Sequence, residues 1–165
     1  MQDKLSNPAK NTDLQEWRKV AKTLYQFLDY YYDYENQPKD YGTGEMINMV
    51  EVHVLTAIYD QPEITVTQLA ADFNRTKSAI SQIVTKLVKK GLVIRQNHET
   101  NKKTILLLPT QEGKRLSRAH KKYDAADEAE TLEILLQNCT MDEIRSFHKV
   151  LQCYNKLFQE EPDNP

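Results

Sequence analysis

The hydrophobic period of this 165-residue chain changes at Gly91, and that change constrains the fold more than any other feature. Before Gly91, the apolar residues of 77–90 recur at helical spacing. After it, the apolar and β-branched runs 92–96 and 104–108 flank a short polar loop, which predicts a β-hairpin. Gly91 itself stands where the end of a helix takes a positive φ.

A shorter helix is predicted just before this one. Thr65 and Gln68 form a capping-box pattern, in which the threonine oxygen accepts a backbone N–H and the glutamine bonds back. A turn at 74–75 then leads to the helix over 77–90. Helix, turn, helix and hairpin is the order of a winged helix-turn-helix, whose second helix enters the DNA major groove.

Helical patterns also lie on both sides of this unit. We expect one helix over about 13–34, a loop over 35–44, and a second helix over about 45–59. Thr110 is predicted to cap a long helix that continues to about 136. The pattern from Thr140 to Glu143 is a second capping box and predicts a last helix.

The charges of the chain are divided sharply between two regions. Residues 62–122 contain thirteen lysines and arginines but four acidic residues, a formal charge of +9. The chain as a whole carries −2, so the remainder carries −11. A basic block is typical of a surface that neutralises phosphates, although it is also consistent with a solvated face. Its coincidence with the helix-turn-helix favours nucleic acid.

The buried stripe expected on 77–90 leaves a polar and basic face outward. On this face Gln82 and the serines suit base edges, while the lysines suit guanine edges or phosphates. Lys102 and Lys103 at the hairpin tip are placed for phosphates or the minor groove. The alternative is a winged-helix protein-interaction module without an operator, which would favour an exposed apolar patch on the same face.

Three segments carry a resemblance to a known family. The segments ITVTQLAADF, SAISQIVTKLVKKGLV and LLLPTQEGKRL resemble the helix-turn-helix and wing exit of the MarR (multiple-antibiotic-resistance regulator) family of bacterial transcriptional regulators. The resemblance extends over about 13–159. It implies a mainly α fold, in which a winged helix-turn-helix with a two-stranded β wing is flanked by N- and C-terminal dimerisation helices.

The resemblance also implies an organisation and a function. We expect a single-domain protomer over 1–165, with a DNA-binding lobe over 45–109 and dimerisation segments over 13–44 and 110–159. The protein is expected to be a ligand-responsive repressor that binds a pseudo-palindromic operator in double-stranded DNA as a homodimer. The predicted DNA-binding residues are Thr76, Lys77, Ser78, Ser81, Gln82, Lys86, Arg95, Lys102 and Lys103.

The hairpin tip departs from the family pattern. Family members commonly have an aspartate followed closely by an arginine that enters the minor groove. Here the tip is Thr100-Asn101-Lys102-Lys103, with lysine for arginine and asparagine in the acidic place. Because lysine is a poorer ligand for a narrow groove, we expect the wing to bind phosphate more than to specify sequence.

Tyrosines are concentrated near the first helix, where the resemblance places an aromatic ligand. Tyr31, Tyr34 and His53 are the candidate binding residues for a small organic effector. Tyrosine is also enriched where subunits pack, so dimer packing is the alternative explanation of the cluster. A lone histidine such as His53 is more often a hydrogen-bonded interior residue than a ligand.

Other functions lack a pattern in the sequence. No Cys, His and Asp grouping has zinc-ligand spacing, so we expect no metal and no cofactor. A phosphate-cradling glycine loop and a nucleophile elbow are absent, so we expect no enzyme. Cys139 and Cys153 are expected to be free structural thiols. Without a bilayer-spanning apolar run or a signal-like N-terminus, a cytoplasmic protein is expected.

Overall fold

The structure is a computed structural model that describes residues 8–101 and 103–159. In these ranges the helices are α1 (Pro8–Asn36), α2 (Met49–Asp60), α3 (Val66–Asp72), α4 (Lys77–Lys89), α5 (Gln111–Leu136) and α6 (Met141–Gln159). The strands are β1 (Lys39–Asp40), β2 (Met46–Ile47), β3 (Val93–Asn97) and β4 (Ile105–Pro109), which pair as β1–β2 and β3–β4, both antiparallel. The mainly α winged-helix fold predicted from the sequence is confirmed.

The chain divides into two compact units, one running up to His120 and the other from Lys121 onward. The first unit contains α1 to α4, both sheets and the first part of α5. The second contains the rest of α5 and all of α6, and its Cys139 and Cys153 are both free and exposed. The expected division into a lobe over 45–109 and two dimerisation segments stays a prediction.

The core of the first unit lies where α2, α3, α4 and the hairpin meet. Its fully buried side chains are Val52, Val54, Leu55, Ile58, Leu69, Ile80, Val84, Leu87 and Leu107. Each contributes about 1.5–3 kcal/mol relative to an exposed side chain. The predicted buried stripe on α4 is confirmed at Ile80, Val84 and Leu87, while Ile83 and Val88 are partly buried.

Local capping chemistry determines where the helices of the helix-turn-helix begin. The Thr65 N–H donates to Gln68 Oε1 at 2.9 Å, and Thr65 Oγ1 accepts the Gln68 N–H at 3.3 Å, which confirms the capping box. Thr76 caps α4 by accepting the Ala79 N–H at 3.2 Å. The turn after α4 places Gly91 at φ 70°, as predicted.

The expected start of α2 at residue 45 was wrong. Residues 46–47 form β2, which pairs with β1 in a segment predicted to be a loop. Helix α2 begins only after Asn48, whose side chain accepts the Glu51 N–H at 2.9 Å. An asparagine cap sets a helix start locally, and counting apolar residues does not detect it.

Between the two strands, the backbone N–H groups of residues 42–44 donate to Asp40 and hold the pKa of its carboxyl below its usual range.

The hairpin is joined directly to the helix-turn-helix. Leu107 lies opposite Arg95 in the register of β3 and β4, and its backbone N–H donates to the Ile64 carbonyl at 3.0 Å. The hydroxyl of Thr110 donates to the Gly91 carbonyl at 2.7 Å and accepts the Gly113 N–H at 3.1 Å. The end of α4, the base of the hairpin and the start of α5 are therefore held together.

No helix among the described residues is long and apolar enough to cross a membrane.

Helix α5 approaches the chain after α4 so closely that Gly113 has no room for a side chain. A Cβ at this position would lie 2.1 Å from the Leu92 carbonyl oxygen and 3.2 Å from Leu55 Cδ1. The nearest obstacle is backbone, which cannot rotate away as a side chain does. Close packing at this helix therefore depends on the absence of a side chain at this residue.

Gly113→Ala is expected to destabilise the protein, although alanine normally favours a helix by about 1 kcal/mol over glycine. Displacing a packed helix costs about 1–3 kcal/mol, which outweighs that gain. Chemical unfolding monitored by circular dichroism measures the free energy of unfolding. Gln111→Ala, at an exposed position of the same turn, serves as the control and is expected to stay within about 0.5 kcal/mol of the parent. Equal stability of both variants would contradict the close approach.

Candidate nucleic-acid interface

The outward face of α4 is polar and exposed. The side chains of Lys77, Ser78, Ser81 and Gln82 are exposed, and so is the cap residue Thr76. Among the described residues of α4, no large apolar side chain is exposed. The sequence therefore predicted this face correctly, and its chemistry suits base edges and phosphates.

A hydrogen-bond chain joins this helix to the wing. Arg95 on β3 donates through Nη2 to Thr85 Oγ1 at 2.8 Å, and the Thr85 hydroxyl donates to the Ser81 carbonyl at 2.8 Å. Arg95 remains exposed. The sequence named Arg95 as a DNA-binding residue, but it did not indicate that Thr85 orients the guanidinium.

The tip of the wing is ordered by its own side chains. Asn101 Oδ1 accepts the Lys103 N–H at 3.2 Å, and the Asn101 carbonyl accepts the Thr104 N–H at 2.9 Å. His98 Nδ1 accepts the Thr100 N–H at 3.3 Å. Asparagine thus shapes the turn at the place where the family commonly has an aspartate. Lys103 is exposed at this tip, and Lys102 lies outside the described residues.

Several basic residues of the block already have acidic partners within the fold. Lys90 contacts Glu45 at 2.5 Å and the Met46 carbonyl at 2.6 Å, while Arg115 contacts Glu112 at 2.9 Å. These ion pairs join residues on different elements or adjacent turns, so a charge count along the sequence overstates the free positive charge. The exposed lysines of α4 and the wing tip therefore measure the positive charge available to DNA phosphates better than the formal charge of the block does.

Lys86 also has an acidic partner. Its Nζ lies 3.2 Å from Glu51 Oε1 of α2; the Lys86 side chain is 61% exposed, whereas that of Glu51 is 8% exposed. The sequence predicted that Lys86 lies on the outward face of α4. The structure confirms that its side chain is exposed, but its ammonium is paired with Glu51. Nothing in the local pattern around 51 or 86 indicated this long-range pair.

A cleft of about 250 Å³ lies between the end of α1, the start of α2 and α4. It is lined by Tyr32, Glu35, Asn36, Asn48, Val50, Glu51, Arg75, Ile83 and Lys86. The lining combines one aromatic ring with both signs of charge, so it suits a small polar or aromatic molecule. Of the tyrosines, it includes Tyr32 rather than the predicted Tyr31 or Tyr34.

Tyr31 and Tyr34 instead lie side by side on α1. Their ring centroids are 6.4 Å apart, and the ammonium of Lys39 lies 3.4 Å from the centroid of Tyr34. The Tyr31 hydroxyl points toward Met49 Sδ at 4.0 Å. Partial burial and the neighbouring Glu35 and Tyr34 raise the pKa of Tyr31 above its usual value. Tyr31 therefore stays neutral at physiological pH and can donate a hydrogen bond.

His53 packs against a second histidine. The rings of His53 and His120 are 5.0 Å apart between centroids, Tyr41 contacts His120 edge-on at 4.9 Å, and Thr56 Oγ1 lies 3.4 Å from His120 Nδ1. A ring nitrogen of each histidine lies within 4.8 Å of the other. Imidazole nitrogen is a ligand that zinc prefers, so these two residues have the chemistry to hold a metal in the first unit. The sequence treated both histidines as isolated, because they are distant along the chain.

Comparison with known proteins identifies the winged-helix segment. Residues 47–105 match the model of the MarR family. The winged-helix segment is a MarR-family domain. The helix-turn-helix and most of the wing fall inside the matched range, including α4 with its exposed polar face. The resemblance that the sequence suggested is confirmed.

A curated relative agrees with this assignment. The chain is 37% identical over 84 residues to YhjH, an uncharacterized HTH-type transcriptional regulator of Bacillus subtilis (strain 168). That alignment covers 51% of this chain and 48% of the relative, so the chain spans about half the length of the curated relative it matches.

Two solved structures share the fold over nearly their whole length. FabT of Streptococcus pneumoniae, in complex with DNA, is 18% identical with a TM-score of 0.66, covering 88% of this chain and 99% of FabT. A MarR family transcription regulator is 20% identical with a TM-score of 0.69, covering 93% of this chain and 97% of its own. At such identities the likeness shows that the fold extends beyond the matched 47–105.

Proposed function

We propose that this protein is a transcriptional regulator that binds a specific site in double-stranded DNA. The observation that carries the proposal is the exposed polar and basic face of α4, within a MarR-family domain. The DNA complex of FabT, which has the same fold, supports it. A protein-interaction module is less well supported, because the described residues of α4 expose no large apolar side chain.

The proposed DNA contacts fall into two classes. Ser78, Ser81 and Gln82 meet base edges, since their hydroxyl and amide groups both donate and accept hydrogen bonds. Lys77 and Arg95 meet phosphates, as do the two lysines of the wing tip, and Thr76 contacts the backbone at the helix start. Lys86 differs from these residues because its ammonium is paired with Glu51.

We further propose that the protein binds DNA as a homodimer, and that it represses transcription at a pseudo-palindromic operator. Helix α1 exposes Trp17, Val20, Phe27 and Leu28, and α6 exposes Phe147, Val150, Leu157 and Phe158. Apolar side chains in such numbers on a helix are typical of a surface that another chain covers. A second copy is the proposed cover, because a two-fold dimer matches a palindromic operator.

The proposed effector is a small organic molecule that binds near the end of α1. Tyr31, Tyr34 and His53 remain the residues proposed from the sequence, and Tyr32, which lies between the first two along α1, lines the cleft. A function on chromosomal DNA also makes the cytoplasm the proposed location, and it requires no catalytic residues.

Gln82→Ala and Lys103→Ala are expected to weaken DNA binding in different ways. Loss of the Gln82 amide should cost about 1–3 kcal/mol and relax the preference at one operator position. Loss of the Lys103 ammonium should weaken all sequences alike and lower the salt slope by about one. Fluorescence-anisotropy titrations at several salt concentrations, with operator and scrambled duplexes, measure both effects. Equal losses that ignore sequence in both variants would refute these roles.

A charge introduced on either exposed apolar helix is expected to dissociate the dimer. Leu28→Glu in α1 and Phe147→Glu in α6 each bury a carboxylate if a second copy covers them. Sedimentation velocity at micromolar concentration should show monomers for both variants and a dimer for the parent. Gln152→Glu, at an exposed polar position of α6, is the control and should remain dimeric. A folded monomeric parent would contradict the proposal.

Substitutions near the cleft are expected to separate effector response from DNA binding. A ligand that favours the inactive dimer by about 2 kcal/mol weakens operator binding about 30-fold. For a compound found by screening small aromatic molecules, Tyr31→Phe, Tyr34→Phe and His53→Ala should reduce this response and spare ligand-free binding. Tyr32→Phe tests the cleft itself. If only the Tyr32 variant loses the response, the effector binds in the cleft and the other three residues only pack.

A further inference from the structure

The Glu51 carboxylate is almost fully enclosed by the first unit. Glu51 is 6% exposed and lies in the first turn of α2, where Asn48 accepts its backbone N–H. An acidic residue at a helix start is favoured by the helix dipole. Burial of a carboxylate nevertheless costs free energy unless a partner of opposite charge compensates it. The fold must therefore supply a cation at this point.

Lys86 supplies that cation from α4. Its side chain is largely exposed, and its ammonium lies 3.2 Å from Glu51 Oε1. The pair therefore joins α2 and α4, two helices that pack against each other. It connects α4, the helix proposed to enter the major groove, to α2.

A DNA phosphate would have to compete with Glu51 for the same ammonium. Moving Lys86 to a phosphate leaves the enclosed carboxylate without that partner, which is costlier than leaving an exposed one. Lys77 differs, because it is exposed at the start of the same helix and has no ion pair among the described residues. Two lysines on one helix are thus in different electrostatic states.

We propose that Lys86 is the counter-ion of the buried Glu51 carboxylate, and that its ammonium stays in this pair between α2 and α4 instead of neutralising a DNA phosphate. The part of this inference that concerns DNA phosphate rests on the proposed DNA-binding function. The coupling between the Lys86 and Glu51 side chains is independent of DNA.

The first test is the stability of the DNA-free protein. Lys86→Met leaves the carboxylate unpaired and should lower the thermal midpoint by about 4–8 °C. Glu51→Gln/Lys86→Met removes both charges and should restore the midpoint to within about 2 °C of the parent. If the double variant is as unstable as Lys86→Met, the two side chains are not coupled and the proposal is overturned.

The second test is the salt dependence of binding to a random-sequence duplex, where phosphate contacts dominate. Lys77→Met, the matched control, should lower the salt slope by about one. The double variant should keep the parent slope and bind within about threefold of the parent. A fall of about one in the double variant would make Lys86 a phosphate ligand and overturn the proposal.

The two tests separate this inference from the proposed function. If the parent protein shows no salt-dependent binding to the random-sequence duplex or to DNA that co-purifies with it, the DNA-binding function fails. The thermal rescue in the DNA-free double variant then still decides whether Glu51 and Lys86 are coupled. A thermal rescue without DNA binding supports Lys86 as the counter-ion of Glu51, and the absence of a rescue refutes that assignment.

Discussion

Burial of one side of α4 against α2 and the hairpin is the interaction on which the rest of the structure depends. Ile80, Val84 and Leu87 are fully buried on this side. An amphipathic helix packs only its apolar face against the core. Burying this face of α4 therefore leaves the opposite face, with Gln82 and Ser78, in contact with solvent. The candidate DNA-binding surface is therefore a direct consequence of core packing, and it requires no separate structural element.

The features that the sequence predicted well are those encoded within a few residues. The capping boxes at Thr65 and Thr140, the cap at Thr76 and the glycine at 91 each act through bonds to near neighbours. Hydrophobic spacing added the helix faces. The start of α2 was misplaced because its cap, Asn48, follows a short strand whose pairing partner lies beyond a turn.

The parts of the candidate site that sequence reasoning missed all involve distant partners. The pairs Lys86–Glu51 and Arg95–Thr85 and the contact of His53 with His120 join different elements. No periodic or capping pattern encodes such contacts, since they depend on how the helices pack. Charge counting located the right region, but only the fold distinguishes a lysine held by a carboxylate from one that faces solvent.

The hydroxyl of Thr110 has a consequence for how this sequence can vary. It donates one hydrogen bond to the Gly91 carbonyl and accepts another from the Gly113 N–H, so a single oxygen atom closes the base of the wing and starts α5. Aspartate, a good helix cap, could accept the second bond but, when ionised, not donate the first. Serine is the substitution that preserves both. Far fewer residue types should therefore be tolerated at position 110 than at an ordinary helix N-cap.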